Sequence, residues 1–362
     1  MESADWALPG NVVLRLGDEL EAGPGVTEQV LRNLGAAPAP FAVREMRPLP
    51  DFPAGERAIT VDQTHRSVVV GEKVIVKWFP HPSEGPHPGL EMLTHLAEAG
   101  FTRTAEPYAA IFCGDALAGL ATAYLPGARD GWEWCAEEAA AGRTAFAAEI
   151  GTLAADLHLA MTTPSEVVAE PVRLMPATDA WSARAARALD EALALTTDET
   201  DAAWLADHVA DLRRELAPLQ VAGETQVMRV HGDLHVGQII EWEGGFSLID
   251  FDGNPTVPDA SPYQPAARDL AQLVISVENA GQVAIKRRGA DPQAISAWVW
   301  GAREGLENAY TRRLEEAGRA DLLDRSLLRP FEAEQLCREL IYAGRFLERW
   351  RYAPMGVLRT WF

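Results

Sequence analysis

One short stretch near residue 240 most constrains how this chain can fold. Two apolar runs, Gln238–Trp242 and Phe246–Asp250, flank a Glu-Gly-Gly sequence centred near Gly244. A glycine-rich turn between two such runs favours a β-hairpin, and its symmetry predicts that Gln238 and Asp250 face each other. Cross-strand neighbours lie roughly 5 Å apart, so an amide oxygen and a carboxylate placed there could share one Mg²⁺ ion.

Asp233 lies in the predicted turn that leads into this hairpin. A carboxylate at that place could accept the proton of an attacking hydroxyl beside a metal-bound phosphate. The alternative is that Asp233 caps a tight turn, Asp250 ends a strand and Gln238 is a polar residue at an edge. Because one hairpin fixes all three side chains, we favour the catalytic interpretation.

A resemblance to a known superfamily supports this hypothesis. The sequence His231-Gly232-Asp233-Leu234-His235, with Ile249-Asp250-Phe251-Asp252 after it, resembles the signature of aminoglycoside-phosphotransferase-like members of the protein-kinase-like superfamily. The resemblance implies an α+β, two-lobed kinase-like fold with ATP between the lobes, Asp233 as catalytic base and Asp250 as principal Mg²⁺ ligand. Gln238 stands where many members carry Asn, and the Gly-Gln pair there is similar to the bacterial maltokinase branch. We assign His235 to the acceptor, and Asp252 either to the acceptor or to a second metal contact.

Composition limits the partners. Apolar residues make up 48% of the 362-residue chain and the formal net charge is −21, which predicts a globular protein and argues against nucleic acid or an anionic membrane as partner. The cysteines show no disulfide or metal spacing, and neither a signal peptide nor a long apolar stretch is visible. We expect a cytoplasmic protein that meets ATP and a small sugar; a monomer is compatible with the sequence, which leaves the oligomeric state open.

The first part of the chain is predicted to hold two domains. Residues 1–57 contain short apolar runs broken by Pro-Gly pairs; the resemblance makes them an N-terminal cap, although a plain structural extension fits equally well. Residues 58–127 are predicted to form the ATP-binding lobe. Within it, Val68–Val70 and Val74–Phe79 flank Gly71-Glu72-Lys73 and predict a hairpin, and the polar stretch 62–67 before it could fold over phosphates.

Lys77 and Glu91 are candidates for binding the nucleotide phosphates. Lysine occurs only at Lys73, Lys77 and Lys286, and an unpaired ammonium in a half-buried strand is costly. The segment 88–100 predicts a helix with Glu91 in its first turn, and a strand Lys paired with a helix Glu positions phosphates in kinases. The alternative is a surface lysine and a glutamate favoured by the helix dipole.

Two further strands, 106–112 and 119–125, are predicted to complete an antiparallel sheet, and the backbone of Tyr124 and Leu125 is predicted to form a hinge that meets adenine. Residues 128–362 are predicted to form a mainly helical lobe with the sugar site. It opens with Asp130-Gly131-Trp132-Glu133-Trp134, which again resembles the maltokinase branch. We interpret His158 as a packed helix residue and, by resemblance, Asp269 as a structural brace of the catalytic loop.

The C-terminal stretch 334–354 predicts a helix with two neighbouring stripes. The buried one comprises Leu336, Leu340, Ala343 and Leu347, and the other comprises Gln335, Glu339, Tyr342 and Phe346. Amides and carboxylates bind hydroxyls, aromatic rings stack on sugars, and a carboxylate prefers an ammonium. The alternative is a boundary stripe with Glu339 paired to Arg338 or Arg345.

This stretch resembles the C-terminal signature of the actinobacterial glucosamine kinases. The resemblance implies an ATP- and Mg²⁺-dependent kinase that converts glucosamine to glucosamine 6-phosphate, with Gln335, Glu339 and Tyr342 contacting the sugar and Glu339 reading its amino group. The alternatives are a maltokinase that makes maltose 1-phosphate, an aminoglycoside kinase, and a pseudokinase that binds nucleotide or sugar without turnover.

Overall fold

The computed structural model describes residues 3–59, 65–176, 179–220, 223–254 and 261–362. The chain divides into two compact units, Met1–Ala128 and Arg129–Phe362, and the predicted boundary after residue 127 lies one residue away. Of the polar stretch 62–67, residues 62–64 lie outside the described ranges. Within those ranges, no helix combines the length and the apolar character needed to cross a bilayer.

The first unit contains two antiparallel sheets and two helices. A three-stranded sheet has the order β1-β2-β3, and a six-stranded sheet has the order β4-β8-β9-β7-β6-β5. The strands are β1 (Ala4–Leu8), β2 (Val12–Leu16), β3 (Leu20–Ala22), β4 (Phe41–Glu45), β5 (Glu56–Ile59), β6 (Arg66–Val70), β7 (Val74–Glu84), β8 (Pro107–Cys113) and β9 (Ala116–Ala123). The helices are α1 (Val26–Arg32) and α2 (Pro88–Glu98).

The predicted cap does not end where the sequence suggested. The boundary after residue 57 falls inside β5, and β4 forms one edge of the six-stranded sheet. The small sheet shares one hydrophobic core with the large one, and the Trp78 indole on β7 donates to the Thr27 hydroxyl on α1 at 3.0 Å. Residues 1–57 are therefore built into the sheet unit, because their apolar side chains cover one of its faces.

The two faces of β7 pack in different hydrophobic clusters. Val74, Val76 and Trp78 are buried on the face covered by the small sheet, whereas Lys77 and Phe79 point the other way. Phe79 packs in the small cluster that contains Leu90 of α2. Lys77 therefore lies on the face that carries α2, which is where a partnership with Glu91 requires it to be.

The hairpin of β6 and β7 forms with the predicted turn at residues 71–73. The next hairpin differs from prediction, since β9 begins at Ala116, three residues before Gly119, and ends at Ala123. Its connection is only Gly114-Asp115, and Gly114 has φ +59°, a conformation that glycine adopts without strain. Tyr124 and Leu125 consequently follow the strand instead of ending it.

The second unit is mainly helical. Its helices are α3 (Gly131–Ala140), α4 (Ala145–Met161), α5 (Asp179–Leu195), α6 (Glu199–Leu216), α7 (Ala266–Arg288), α8 (Pro292–Glu316), α9 (Leu328–Arg345) and α10 (Tyr352–Trp361). Its strands are β10 (Val172–Pro176), β11 (Glu224–Arg229) and β14 (Tyr263–Gln264) in one sheet, and the hairpin β12 (Ile239–Trp242) with β13 (Gly245–Leu248). Helix α7 is buried over most of its length, so its side chains form the centre of this unit.

The C-terminal stretch is two helices, not one. Helix α9 ends at Arg345, a short 3₁₀ turn spans Glu348–Trp350, and α10 begins at Tyr352. Pro354 lies in the first turn of α10, where proline is tolerated, whereas within a longer helix it would remove a hydrogen bond. Leu336, Leu340 and Ala343 form the predicted buried face, but Leu347 lies beyond the end of α9.

Candidate active site

The predicted hairpin forms, but its register differs by one residue. Ile239 pairs with Leu248, and the Ile249 N–H donates to the Gln238 carbonyl at 3.0 Å, so Gln238 faces Ile249 and not Asp250. The turn contains only two residues because Gly245, with φ +101°, begins the returning strand. Asp250 has φ +62° and is exposed. The chain therefore leaves the extended strand conformation at Asp250, directly after Ile249, which is the residue opposite Gln238.

A buried aspartate on α7 holds residues 231–236, which we call the catalytic loop after the role predicted for Asp233. Asp269 accepts the backbone N–H groups of His231 and Gly232 at 2.8 and 3.0 Å, and His158 Nε2 lies 3.2 Å from its Oδ2. His158 is fully buried on α4, and its Nδ1 lies 2.6 Å from the Tyr310 hydroxyl. Burial alone would raise the pKa of Asp269, but His158, the electrostatic effect of His231 and the Gly232 N–H lower it. The bracing predicted for Asp269 is thus confirmed by these contacts.

Asp233 follows the braced residues and is itself oriented from α7. Its Oδ1 accepts hydrogen bonds from the side-chain amides of Gln272 and Asn254 at 2.6 and 2.9 Å. Its Oδ2 lies 3.6 Å from His235 Nε2. Burial acts to raise the pKa of Asp233, but His235 and the Gln272 hydrogen bond outweigh it and lower that pKa. The carboxylate is therefore ionised at neutral pH, with one oxygen held by neutral amides.

The start of α3 packs directly on the catalytic loop. Asp130 caps the helix by accepting the Trp132 and Glu133 N–H groups at 2.9 and 3.1 Å. A Cβ on Gly131 would lie 1.6 Å from the Val236 carbonyl oxygen, so only glycine permits this approach. The Trp132 ring centroid lies 5.6 Å from that of His235. This packing accounts for Asp130, Gly131 and Trp132 of the Asp-Gly-Trp-Glu-Trp sequence.

One cavity of about 900 Å³ brings five of the predicted site residues together. Its lining includes Asp233, His235, Gln335, Glu339 and Tyr342. The other lining residues are Asp130, Trp132, Glu133, Ala136, Asn254, Gln272, Val283, Arg287, Arg288, Arg338, Leu347 and Trp350. Asp252 and Phe346 are exposed and do not line the cavity.

Glu339 is held by neutral amides. Its carboxylate accepts one hydrogen bond from the Asn279 amide and another, of 3.3 Å, from Gln335. The predicted alternative of an arginine partner is not formed, since Arg338 pairs with Glu334 and Arg345 with Glu191. Burial raises the pKa of Glu339 to about 7, although both amides act to lower it. Among the residues the structure describes, none forms an ion pair with this carboxylate.

Beside the α9 residues that line the cavity, α9 is fixed by a buried ion cluster. The fully buried Glu334 accepts from Arg184 on α5, Arg268 on α7 and Arg338 on α9, at 3.0, 2.8 and 2.7 Å. Burial alone would raise the pKa of Glu334, but the three guanidinium groups hold it at about 2. The cluster ties three helices together under the floor of the cavity.

The residues predicted to bind nucleotide lie in the first unit. The Lys77 Nζ is 5.9 Å from the Phe79 ring centroid, and Glu91 is half-buried in the first turn of α2. The Tyr124 N–H donates to the Lys73 carbonyl at 2.9 Å, its hydroxyl accepts from Arg57 at 2.9 Å, and Leu125 is buried. The nucleotide roles of these four residues remain predictions.

Gln238 and Asp250 remain the predicted magnesium ligands. Both offer hard oxygen donors, and the exposed Asp250 carboxylate directly follows the residue opposite Gln238. No group of three or more His, Cys, Asp or Glu side chains with metal-binding geometry occurs within the described ranges. Mg²⁺ in phosphate-transferring sites binds through one or two carboxylates plus phosphate oxygens, so the donor set fits that ion without such a group.

Several site residues escaped the sequence analysis. Gln272 and Asn279 on α7 bind the two central carboxylates of the cavity, yet neither belongs to a recognised motif. Their signal was available, because two amides seven residues apart lie on one face of the helix, with Ser276 between them on that face. Asn254 and Trp350 carry no such periodic signal.

The braced loop, its ionised aspartate and the cavity that contains this aspartate are the features of a phosphotransferase. The model of the phosphotransferase enzyme family APH matches residues 56–306, more than half of the chain, and the chain therefore belongs to this family. This confirms the predicted kinase-like fold class.

Two relatives and one solved structure, all glucosamine kinases, are similar to this chain over most of its length. The chain is 35% identical to a glucosamine kinase of Streptacidiphilus jiangxiensis, over 92% of this chain and 80% of the relative. It is 35% identical to a glucosamine kinase of Mycolicibacterium smegmatis (strain ATCC 700084 / mc(2)155), over 84% of this chain and 79% of the relative. A solved glucosamine kinase in complex with glucosamine, ADP and inorganic phosphate superposes with a TM-score of 0.80 at 30% identity, over 98% of this chain and 86% of the other. The predicted resemblance to the glucosamine kinases is confirmed.

Proposed function

We propose that this protein is a kinase that transfers the γ-phosphoryl group of ATP to the 6-hydroxyl of D-glucosamine. The observation that carries the proposal is the position of Glu339, a carboxylate with no cationic partner among the described residues, in the cavity that also contains Asp233. One cavity thus offers a group that accepts a hydroxyl proton and a group that attracts an ammonium. The similarity to glucosamine kinases supports the same choice of substrate.

Asp233 would act on the acceptor hydroxyl. As the sugar oxygen attacks the γ-phosphorus, its proton passes to the Asp233 carboxylate and the bond from phosphorus to the β,γ-bridging oxygen breaks, which releases ADP. Gln272 and Asn254 hold Oδ1, so Oδ2 is the oxygen available for the proton. His235, 3.6 Å from Oδ2, would contact the same hydroxyl or its neighbour.

Glu339 would provide selectivity for the amino sugar. In the ionised form its carboxylate binds the 2-ammonium group, while Gln335 and Tyr342 contact hydroxyls and the ring. A hydrogen bond to a charged group contributes about 1.5–3 kcal/mol, which corresponds to a preference of roughly tenfold to hundredfold over glucose. N-acetylglucosamine lacks the charge and carries extra bulk, so it should also be a poor acceptor.

The nucleotide would be bound by the residues predicted from the sequence. Lys77, supported by Glu91, would bind its phosphates, and the backbone at Tyr124 and Leu125 would meet the adenine. Gln238 and Asp250 would hold Mg²⁺, which neutralises charge on the phosphates when it is bound. Asp252 is exposed after the hairpin and remains a candidate for a second metal contact or a sugar contact.

The test is ADP release with Mg²⁺-ATP across glucosamine, glucose, N-acetylglucosamine, maltose and kanamycin, with the Asp233→Asn variant beside the wild type. We expect a strong preference for glucosamine, and loss of turnover in a variant that still melts cooperatively. Preference for maltose or kanamycin would overturn the proposed substrate and leave the fold intact. Unchanged turnover in Asp233→Asn would remove Asp233 from the chemistry, and ATP binding without turnover of any sugar would indicate a pseudokinase.

A further inference from the structure

A second charged cluster lies in the helical unit, and none of its residues lines the cavity. Arg303 on α8 donates to Glu278 on α7 and to Glu332 on α9, the latter at 2.7 Å. Its Nη2 also lies 3.2 Å from Glu307, which is one turn further along α8. The side chains of Glu278 and Glu332 are only 5% and 1% exposed. One guanidinium group therefore faces three carboxyl groups, two of which are buried.

The neighbouring helices add little positive charge to this Arg303 cluster. Arg329 on α9 lies 3.4 Å from Glu332, but its side chain is 40% exposed and also pairs with Glu215 on α6 at 3.0 Å. From α10, the neutral indole of Trp361 reaches the cluster. Counted over the helices that the structure describes, four glutamates thus face two arginines.

This imbalance of charge favours a neutral carboxyl group. A buried carboxylate without a full counter-charge is costly, and a group in that position takes up a proton instead. Burial raises the pKa of Glu332 to about 7, and Glu278 acts in the same direction, although Arg303 acts to lower it. Glu334, two residues further along α9, differs because three guanidinium groups hold its pKa at about 2 against the effect of burial.

The Arg303 cluster also holds the last turn of α10. The Trp361 indole donates to Oε2 of Glu278 at 3.4 Å, and the Arg329 guanidinium lies 3.2 Å from the centroid of the Trp361 ring. Both contacts depend on charged members of the cluster. A change of charge there therefore acts on α10 as well as on α7, α8 and α9.

We propose that the cluster of Glu278, Arg303, Glu307, Arg329 and Glu332 is a pH-sensitive clasp, which keeps Glu332 protonated in the folded protein and loosens α10 when that proton is lost. In the unfolded chain Glu332 titrates at its usual pKa of 4.5, whereas the folded protein keeps the proton up to about pH 7. Between these values folding takes up a proton, so the free energy of unfolding falls as the pH rises, and it levels off above about pH 7.

Urea denaturation between pH 4.5 and 8.5 tests the proton uptake, because the slope of the unfolding free energy against pH counts the protons that folding takes up. Near pH 6 we expect Glu332→Gln to take up about one proton fewer than the wild type. Glu339, whose pKa is also raised to about 7, contributes equally in both proteins, so the difference isolates Glu332. Glu215→Gln is the matched control, because this partly exposed partner of Arg329 should leave the slope unchanged.

Hydrogen exchange of the α10 amides, corrected for the intrinsic effect of pH, tests the loosening. Between pH 6 and 8.5 their protection should fall by about tenfold or more in the wild type and stay constant in Glu332→Gln. Equal slopes for these two proteins in urea, or α10 protection that does not change with pH in the wild type, would overturn the proposal. Neither measurement uses the kinase activity.

Glu278→Gln is a second variant in case Glu332→Gln does not fold. It removes the neighbouring negative charge and leaves Glu332 beside Arg303, so the fall in stability should move to lower pH by about one pH unit or more. The same fall at an unchanged pH would show that the two buried carboxyl groups do not interact, and the proposed clasp would be wrong.

Discussion

The side-chain amide of Gln272 donates to Oδ1 of Asp233 across 2.6 Å. Gln272→Leu removes this hydrogen bond to a charged group. We expect its kcat to fall by about tenfold to hundredfold, with little change in the KM for sugar. Gln272→Glu places a second carboxylate beside Asp233 and should raise its pKa, so its kcat should fall most at low pH. A pH series of kcat for both variants checks this. An effect confined to KM would contradict an orienting role.

Glu339→Gln keeps the shape of the side chain and removes its charge. The variant should lose about tenfold to hundredfold in kcat/KM for glucosamine, because the ammonium loses its counter-charge, while weak turnover of glucose should be preserved. Steady-state kinetics on both sugars measure the difference. An equal decrease on the two sugars would mean that Glu339 supports the cavity without reading the amino group.

The same carboxylate predicts a pH dependence. The pKa of Glu339 is raised to about 7, so below that pH the free enzyme carries a neutral acid that attracts an ammonium weakly. We expect kcat/KM for glucosamine to rise as the pH increases through about 7, and to fall again where the sugar amine loses its proton. Asp233, whose pKa is lowered, stays ionised across this window. Glu339→Gln should therefore lack the rise near pH 7; a variant that keeps it would assign the rise to another group.

Asp269→Asn should destabilise the protein. The carboxylate accepts two backbone N–H groups of the catalytic loop, whereas an amide presents only one acceptor oxygen and leaves a buried donor unmatched. An unmatched buried donor lowers the free energy of unfolding by about 1–3 kcal/mol, which urea denaturation can measure. Asp156→Asn on α4 is the control, since its 2.6 Å pair with Arg313 is partly exposed and should contribute less than about 1 kcal/mol. Equal losses of unfolding free energy in the two variants would contradict the bracing role of Asp269.

Gly131→Ala should disturb the contact between α3 and the catalytic loop. The new Cβ would lie 1.6 Å from the Val236 carbonyl oxygen, so the helix or the loop must move, and we expect lower thermal stability and lower kcat together. Gly301→Ala on α8 is the control, because its Cβ would meet nothing closer than 3.6 Å. That variant should gain roughly 0.5–1 kcal/mol from reduced backbone freedom. A stable, fully active Gly131→Ala would contradict the packing.

Much of the catalytic loop could be predicted because its residues are consecutive. Asp233 and the hairpin after it follow from a local motif, whereas the bracing role of Asp269 on α7 was predicted only from the family resemblance. The register of the hairpin could not be read in the same way. A Glu-Gly-Gly sequence permits a turn of two or three residues, and only the left-handed conformation of Gly245 decides between them.

Residues that act across the fold were harder to predict. Gln272 and Asn279 become site residues only because α7 passes beneath both Asp233 and Glu339, and a sequence pattern does not show which helix lies under which loop. The break between α9 and α10 was missed for a different reason: the apolar period continues to Leu347, although the helix does not. Periodicity reports which side of a segment is buried but places its end poorly.

The buried Glu334 with its three arginines fixes the position of α9, whereas other side chains of the same helix line the cavity. The position of α9 is set largely by the buried Glu334 with Arg184 and Arg268, none of which lines the cavity. Gln335, Glu339 and Tyr342 can therefore be exchanged during evolution without displacing the helix. Related enzymes that diverge in the sugar they accept would then be expected to keep the ion cluster and to vary the side chains beside it. Specificity for the acceptor can therefore change one residue at a time, while the residues that carry out phosphoryl transfer are retained.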